Sequence, residues 1–129
     1  MPVVKQNQIM RRDLLDNQDT LYVFGDNMVR RGFGGQAREM RGEPNAVGIP
    51  TKWAPTMMSS DMFRDADLPK IKPTLDAELD RLRDHLKKGG TVVIPSGGIG
   101  TGLANLKVNA PAIFWYINEN LRALERVVC

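Results

Sequence analysis

Four glycines in six positions, Gly97-Gly98-Ile99-Gly100-Thr101-Gly102, follow the apolar run Thr91-Val92-Val93-Ile94 across Pro95-Ser96. A backbone so poor in side chains can take positive φ and bring its N–H groups against another molecule with no Cβ in between. That is the chemistry of a phosphate cradle. A second cluster, Gly32-Phe33-Gly34-Gly35, comes after the apolar run Leu21-Tyr22-Val23-Phe24 and leads into a short helix predicted over Gln36–Met40. Two such loops suggest the two walls of one nucleotide or diphosphate site. Arg30, Arg31, Arg38 and Arg41 surround the first cluster and would raise the local concentration of an anionic ligand.

The elements that must carry these loops alternate short apolar runs with helical periods, the pattern of an α/β chain. Val3-Val4 and Ala46-Val47-Gly48-Ile49 read as strands beside the two already named, the latter stopped by Pro50. Ile9–Leu15 reads as a short helix. Leu75, Leu79, Leu82 and Leu86 share one helical face, with acids early, bases late and Gly89 as the stop. A last helix is predicted over Ala110–Ala123, capped by Asn109, with Pro111 in its first turn and Ile113, Ile117, Leu121 and Leu124 on its apolar face. Trp53–Lys70 has no period and reads as a long loop with one helical turn at most, a length often found in lids. In open α/β sheets ligands bind beyond the carboxyl ends of the strands, and both glycine loops sit at such ends.

At 129 residues the chain is expected to form a single domain over residues 1–129. No apolar run approaches the roughly 20 residues of a membrane span and no leader is evident, so a cytoplasmic setting and no membrane partner are expected. Cys129 is the only cysteine, which argues against a disulfide or a zinc site, and no metal is expected. A formal charge of +3, with no basic run interleaved with aromatics, argues against a nucleic-acid-binding module. His85 has no second His or Cys nearby and reads as a surface residue.

Three segments together resemble the macro domain family, which binds ADP-ribose, and in particular its branch containing the DarG antitoxins and the terminal ADP-ribose glycohydrolases. Asn27 to Ala37, with Gly32-Phe33-Gly34-Gly35 at its centre, is similar to the first ligand loop of that family. Ile49-Pro50-Thr51-Lys52-Trp53 resembles the P-T-K segment of the branch, with Ser59 or Ser60 for the serine that follows. Ile94 to Gly102 and Leu106 are similar to the second loop, which wraps the diphosphate and distal ribose.

The resemblance implies a three-layer α/β/α fold with a mixed central sheet, and ADP-ribose or another NAD-derived small molecule as the ligand. It implies no cofactor. It makes Lys52 the catalytic nucleophile or electrostatic stabiliser at the distal ribose, where a lysine attacks only as the free amine, which desolvation favours; the residue by itself reads equally as a surface lysine between a strand and a loop, or as a phosphate ligand. The branch places an acid in the second loop, whereas Thr101-Gly102-Leu103-Ala104-Asn105 holds no carboxylate, and Asn105 can bind a ribose hydroxyl without serving as a base. Asp26, Asp61 or Asp65 could supply the acid from elsewhere. Asp26 is preferred, being at a strand end in Gly25-Asp26-Asn27, although turn and cap aspartates are common there. Ser96, Thr101 and Asn105 are expected to add side-chain contacts. Trp53 either stacks on a base or covers the core, and Phe33 is either a core anchor or a ligand platform. Met57, Met58 and Met62 fit a flexible apolar lid or ordinary gap-filling.

Three functions remain open on these residues. One is an enzyme that removes ADP-ribose from protein or nucleic acid. Another is a non-catalytic sensor or sequestering module for the metabolite. The third is an interaction protein that has lost the pocket.

Overall fold

The computed structural model describes residues 2–129. Four strands form one sheet: β1 (Val3–Gln6), β2 (Thr20–Asp26), β3 (Ala46–Pro50) and β4 (Thr91–Pro95), in the order β1-β4-β2-β3. Every strand pairing is parallel, with Val3 opposite Val92, Leu21 opposite Val92 and Val23 opposite Val47. The mixed sheet implied by the resemblance is therefore corrected to a parallel one among the described residues. The cause lies in the connections: α1 (Arg11–Asp16), α2 (Ala37–Met40) and α3 (Leu68–Lys87) each stand between consecutive strands, so each strand re-enters from the same end. A short α4 (Leu106–Asn109) and α5 (Pro111–Ala123) follow β4.

Alternation along the strands divides the core in two. Leu21 and Val23 of β2 and Val92 and Ile94 of β4 join Val47, Ile49 and the apolar stripes of α3 and α5. Tyr22, Phe24 and Val93 instead meet Leu14 of α1 and Ala37 and Met40 of the α2 region. Burial on both faces is why these strands read as continuous apolar runs.

Helix α3 is longer than its leucine pattern suggested. It starts at Leu68, inside the segment expected to be loop, and adds Ile71 to the buried stripe of Leu75, Leu79, Leu82 and Leu86. Pro69 fits the first turn, where no helical bond would use its missing N–H. Helix α5 begins at Pro111 with Ala110 before it and no side-chain cap. Asn109 is not the cap that was expected; its amide donates to the Ala104 carbonyl at 3.2 Å.

The segment from Trp53 to Asp67 is pinned rather than loose. Lys52 and Met62 form an antiparallel bridge, and the Trp53 N–H donates to the Asp61 carbonyl at 2.7 Å. Single 3₁₀ turns occupy Ser59–Asp61 and Asp65–Asp67, and buried Phe63 anchors the segment in the core. No helix is long and apolar enough to cross a membrane among the described residues.

Candidate functional site

Both glycine loops line one cleft of about 460 Å³ beyond the carboxyl ends of β2 and β4. The first wall is Asn27 and Arg31 to Ala37, the second is Gly97 to Ala104, and Thr51, Lys52 and Pro55 to Met57 close the third side. The loops meet across it. A Cβ built on Gly34 would lie 3.5 Å from Leu103 Cδ1, and one on Gly32, where φ is +94°, would lie 2.8 Å from the Pro55 Cβ. Gly32 is thus fixed by both backbone conformation and crowding.

The first loop is shaped by charge. The Asp26 carboxylate, 6% exposed, accepts from the Asn27 N–H at 2.8 Å and from Arg30 at 3.1 Å, and pairs with the guanidinium of Arg41. Arg41 in turn donates through Nε to the Gly32 carbonyl at 2.6 Å and through a terminal nitrogen to that of Arg31 at 3.2 Å, while lying 5.6 Å from the centre of the Phe24 ring. Asn27 adds a 2.7 Å bond to the Arg31 carbonyl. Arg30 extends the network to the Gly48 carbonyl at 2.7 Å and to Glu78 of α3 at 3.3 Å.

Two of the four arginines near this loop are therefore structural. Asp26 has both carboxylate oxygens engaged and organises the loop, which is the turn-type role weighed for it in the sequence.

The second loop is shaped without charge. The Asn118 side chain on α5 accepts from the Ile99 N–H at 3.2 Å and donates to the Ile99 carbonyl at 3.1 Å and to that of Phe114 at 2.9 Å. Ile99 is a peg, 1% exposed. The Leu106 N–H donates to the Gly100 carbonyl at 2.9 Å. Among the described residues, the N–H groups of Gly100, Thr101, Gly102 and Leu103 donate to no protein acceptor, and neither do those of Gly32 to Gln36. Unpartnered amides at a cleft wall are hydrogen-bond donors held ready for an anion.

Lys52 is half-buried on the third side. Its Nζ donates to the Thr56 carbonyl at 3.0 Å, and no carboxylate lies within ion-pair distance among the described residues. Thr51 is buried, its N–H at 2.9 Å and its hydroxyl at 3.1 Å both donating to the Asp26 carbonyl, so the strand ends carrying Asp26 and Lys52 are locked together. The Asp61 carboxylate accepts from the hydroxyl of Thr56, the same residue whose carbonyl accepts from Lys52.

Of the residues singled out in the sequence, Asp26, Asn27, Gly32, Phe33, Gly34, Gly35, Thr51, Lys52, Gly97, Gly98, Ile99, Gly100, Thr101 and Gly102 line the cleft. Three do not. Trp53 packs edge-on against Phe63, ring centres 5.2 Å apart, and donates its indole N–H to Asp67 at 3.2 Å, so it covers the core. Ser96 faces a smaller depression on the side of Lys5 and Arg122. Asn105 is exposed and opens α4 with a left-handed backbone, φ +44°. Phe33 is 65% exposed and lines the cleft, so it is no core anchor. Met57 also lines the cleft, whereas Met62 is buried.

Sequence reasoning missed Asn118, Arg41 as a loop clamp, and Leu103. Only Asn118 left a trace, as an uncharged amide two turns into α5. Among the described residues there is no group of three His, Cys, Asp or Glu able to hold a metal.

No curated protein matches the chain, and no solved structure does. One family pattern covers it over residues 4–120, and on that match the chain belongs to the Family of unknown function (DUF7831).

Proposed function

We propose that this chain is a three-layer α/β/α, macro-like protein that binds ADP-ribose or a related nucleoside diphosphate in the cleft between its glycine loops. The observation that carries the reading is the convergence of two runs of acceptor-free amides on one cavity at the carboxyl end of a parallel sheet. The amides of Gly100 to Leu103 take one phosphate and those of Gly32 to Gly35 the other, with Arg31 and Lys52 supplying positive charge that no carboxylate pairs with among the described residues. Phe33 offers a ring face for the base, a contact worth about 1–3 kcal/mol.

Hydrolysis of an ADP-ribosyl bond on protein or nucleic acid is the second reading, and its support is Lys52 on the cleft wall. Against it stands the absence of a free carboxylate among the lining residues, Asp26 being held by two guanidinium groups. Binding is therefore the proposed function, in a sensor or sequestering role and a cytoplasmic setting.

Titration calorimetry with ADP-ribose, NAD and AMP, paired with thermal shift, tests both. ADP-ribose is expected to bind and raise the melting temperature. Failure of all three ligands sinks the reading and leaves an interaction protein. Turnover of an ADP-ribosylated substrate that vanishes in Lys52→Ala, with ADP-ribose affinity within a few-fold, establishes the hydrolase.

A further inference from the structure

We infer that Asn118 is a positioning residue for the anion grip, setting the direction of the second loop's amides from behind the cleft. The inference rests on the reading just proposed and adds to it how the donors are aimed. A trans peptide unit points its carbonyl and the next residue's N–H in opposite directions, and no peptide bond among the described residues is cis. A group that holds carbonyl i therefore fixes where N–H i+1 looks.

Asn118 Nδ2 holds the Ile99 carbonyl at 3.1 Å, which turns the Gly100 N–H away from α5. The Leu106 N–H holds the Gly100 carbonyl at 2.9 Å, which turns the Thr101 N–H away from the start of α4. Both amides belong to cleft-lining residues and neither has a protein acceptor among the described residues. The Asn118 amide makes this possible because it both accepts from and donates to one residue, Ile99, while its second N–H is tied to the Phe114 carbonyl at 2.9 Å. The side chain cannot rotate without breaking three bonds. The first loop obeys the same rule through Arg41, whose hold on the Arg31 and Gly32 carbonyls turns the Gly32 and Phe33 amides away from its guanidinium.

Asn118→Asp is the sharpest test. It keeps size and the acceptor for the Ile99 N–H but loses both donations and sets a carboxylate against two carbonyls. Backbone ¹⁵N relaxation on the ligand-free protein is expected to show rigid Gly100 and Thr101 amides in the parent and lowered order parameters there in the variant, with α3 and the first loop unchanged. Binding of inorganic pyrophosphate is expected to weaken about tenfold, while adenosine binding stays within about twofold. If Asn118→Asp does not fold, Asn118→Ala removes the same donations without adding charge and is read in the same way.

Order parameters unchanged in the folded variant overturn the inference, as does equal loss of pyrophosphate and adenosine binding. Parent protein that binds neither pyrophosphate nor ADP-ribose removes the nucleotide reading instead. The relaxation data then decide alone whether Asn118 sets the loop.

Discussion

The two glycine loops do the same structural job with opposite chemistry. The loop after β2 is held by an ionic web in which one nearly buried carboxylate, Asp26, serves Arg30 and Arg41 at once. The loop after β4 is held by a neutral amide, one buried isoleucine and a backbone bond to the start of α4. Removing a member of the first set strands charge in a partly buried place. Removing a member of the second strands only hydrogen bonds. The difference teaches that stability is concentrated at the first loop and conformational choice at the second.

The largest expected effect follows from that asymmetry. Asp26→Asn leaves two guanidinium groups without their counter-charge, one of them with a side chain only 16% exposed, and should cost roughly 3 kcal/mol in urea unfolding. Local hydrogen exchange should rise at Gly32 to Gly35 and stay level at Gly97 to Gly102. Equal loosening of both loops would break the comparison.

Next comes Gly100→Ala. The residue has φ +85°, and an added Cβ would meet Leu106 Cδ2 at 2.8 Å and Cβ at 2.9 Å, so strain and overlap combine to about 2 kcal/mol. Here exchange should rise in the second loop alone.

A smaller effect tests the platform on which Asn118 stands. Two residues before it, the Tyr116 hydroxyl donates to Asp76 of α3, which also pairs with Lys72 at 2.9 Å. Bonds from the hydroxyl and then Lys72 hold the Asp76 carboxyl below the usual aspartate range. A depressed carboxylate stabilises the fold above its unfolded value and loses that contribution as pH falls through the folded one. Burial, then the bond to Asp76, pushes the Tyr116 phenol up, so its contribution is lost as pH rises past the ordinary tyrosine range. Tyr116→Phe should cost about 1 kcal/mol at neutral pH and flatten both the acid limb below about pH 4 and the alkaline limb above about pH 10. Second-loop exchange that rises as much as in Gly100→Ala would mean that α5 moves as a whole and Asn118 is no local clamp.

Much of the frame was legible because period and run length report burial directly. Leu75, Leu79, Leu82 and Leu86 gave the α3 face, and Thr91 to Ile94 gave a strand covered on both sides. The loops were legible because glycine clusters after apolar runs have few other uses. The sheet's direction was legible too, in the alternation of strands with helices and in strands apolar throughout, and the mixed sheet came only from the family resemblance. The start of α3 was obscured by Pro69 and Pro73, which break a period without breaking the first turns of a helix. The clamps were hidden for another reason. Asp26 meets Arg41 across 15 positions and Ile99 meets Asn118 across 19, and each pair makes sense only once the chain has folded.

The smallest expected effect is the most discriminating about the ligand. Gly102 has no strained φ, and a Cβ built on it meets nothing within 4 Å, so Gly102→Ala should change stability by less than about 0.5 kcal/mol. The residue nevertheless lines the cleft and presents an acceptor-free amide. Its new methyl therefore has only a ligand to collide with. A loss of ADP-ribose affinity with an unchanged melting curve places the bound molecule against the second loop. Affinity unchanged as well would confine close approach to the first loop and leave the charge-held wall as the one that makes contact.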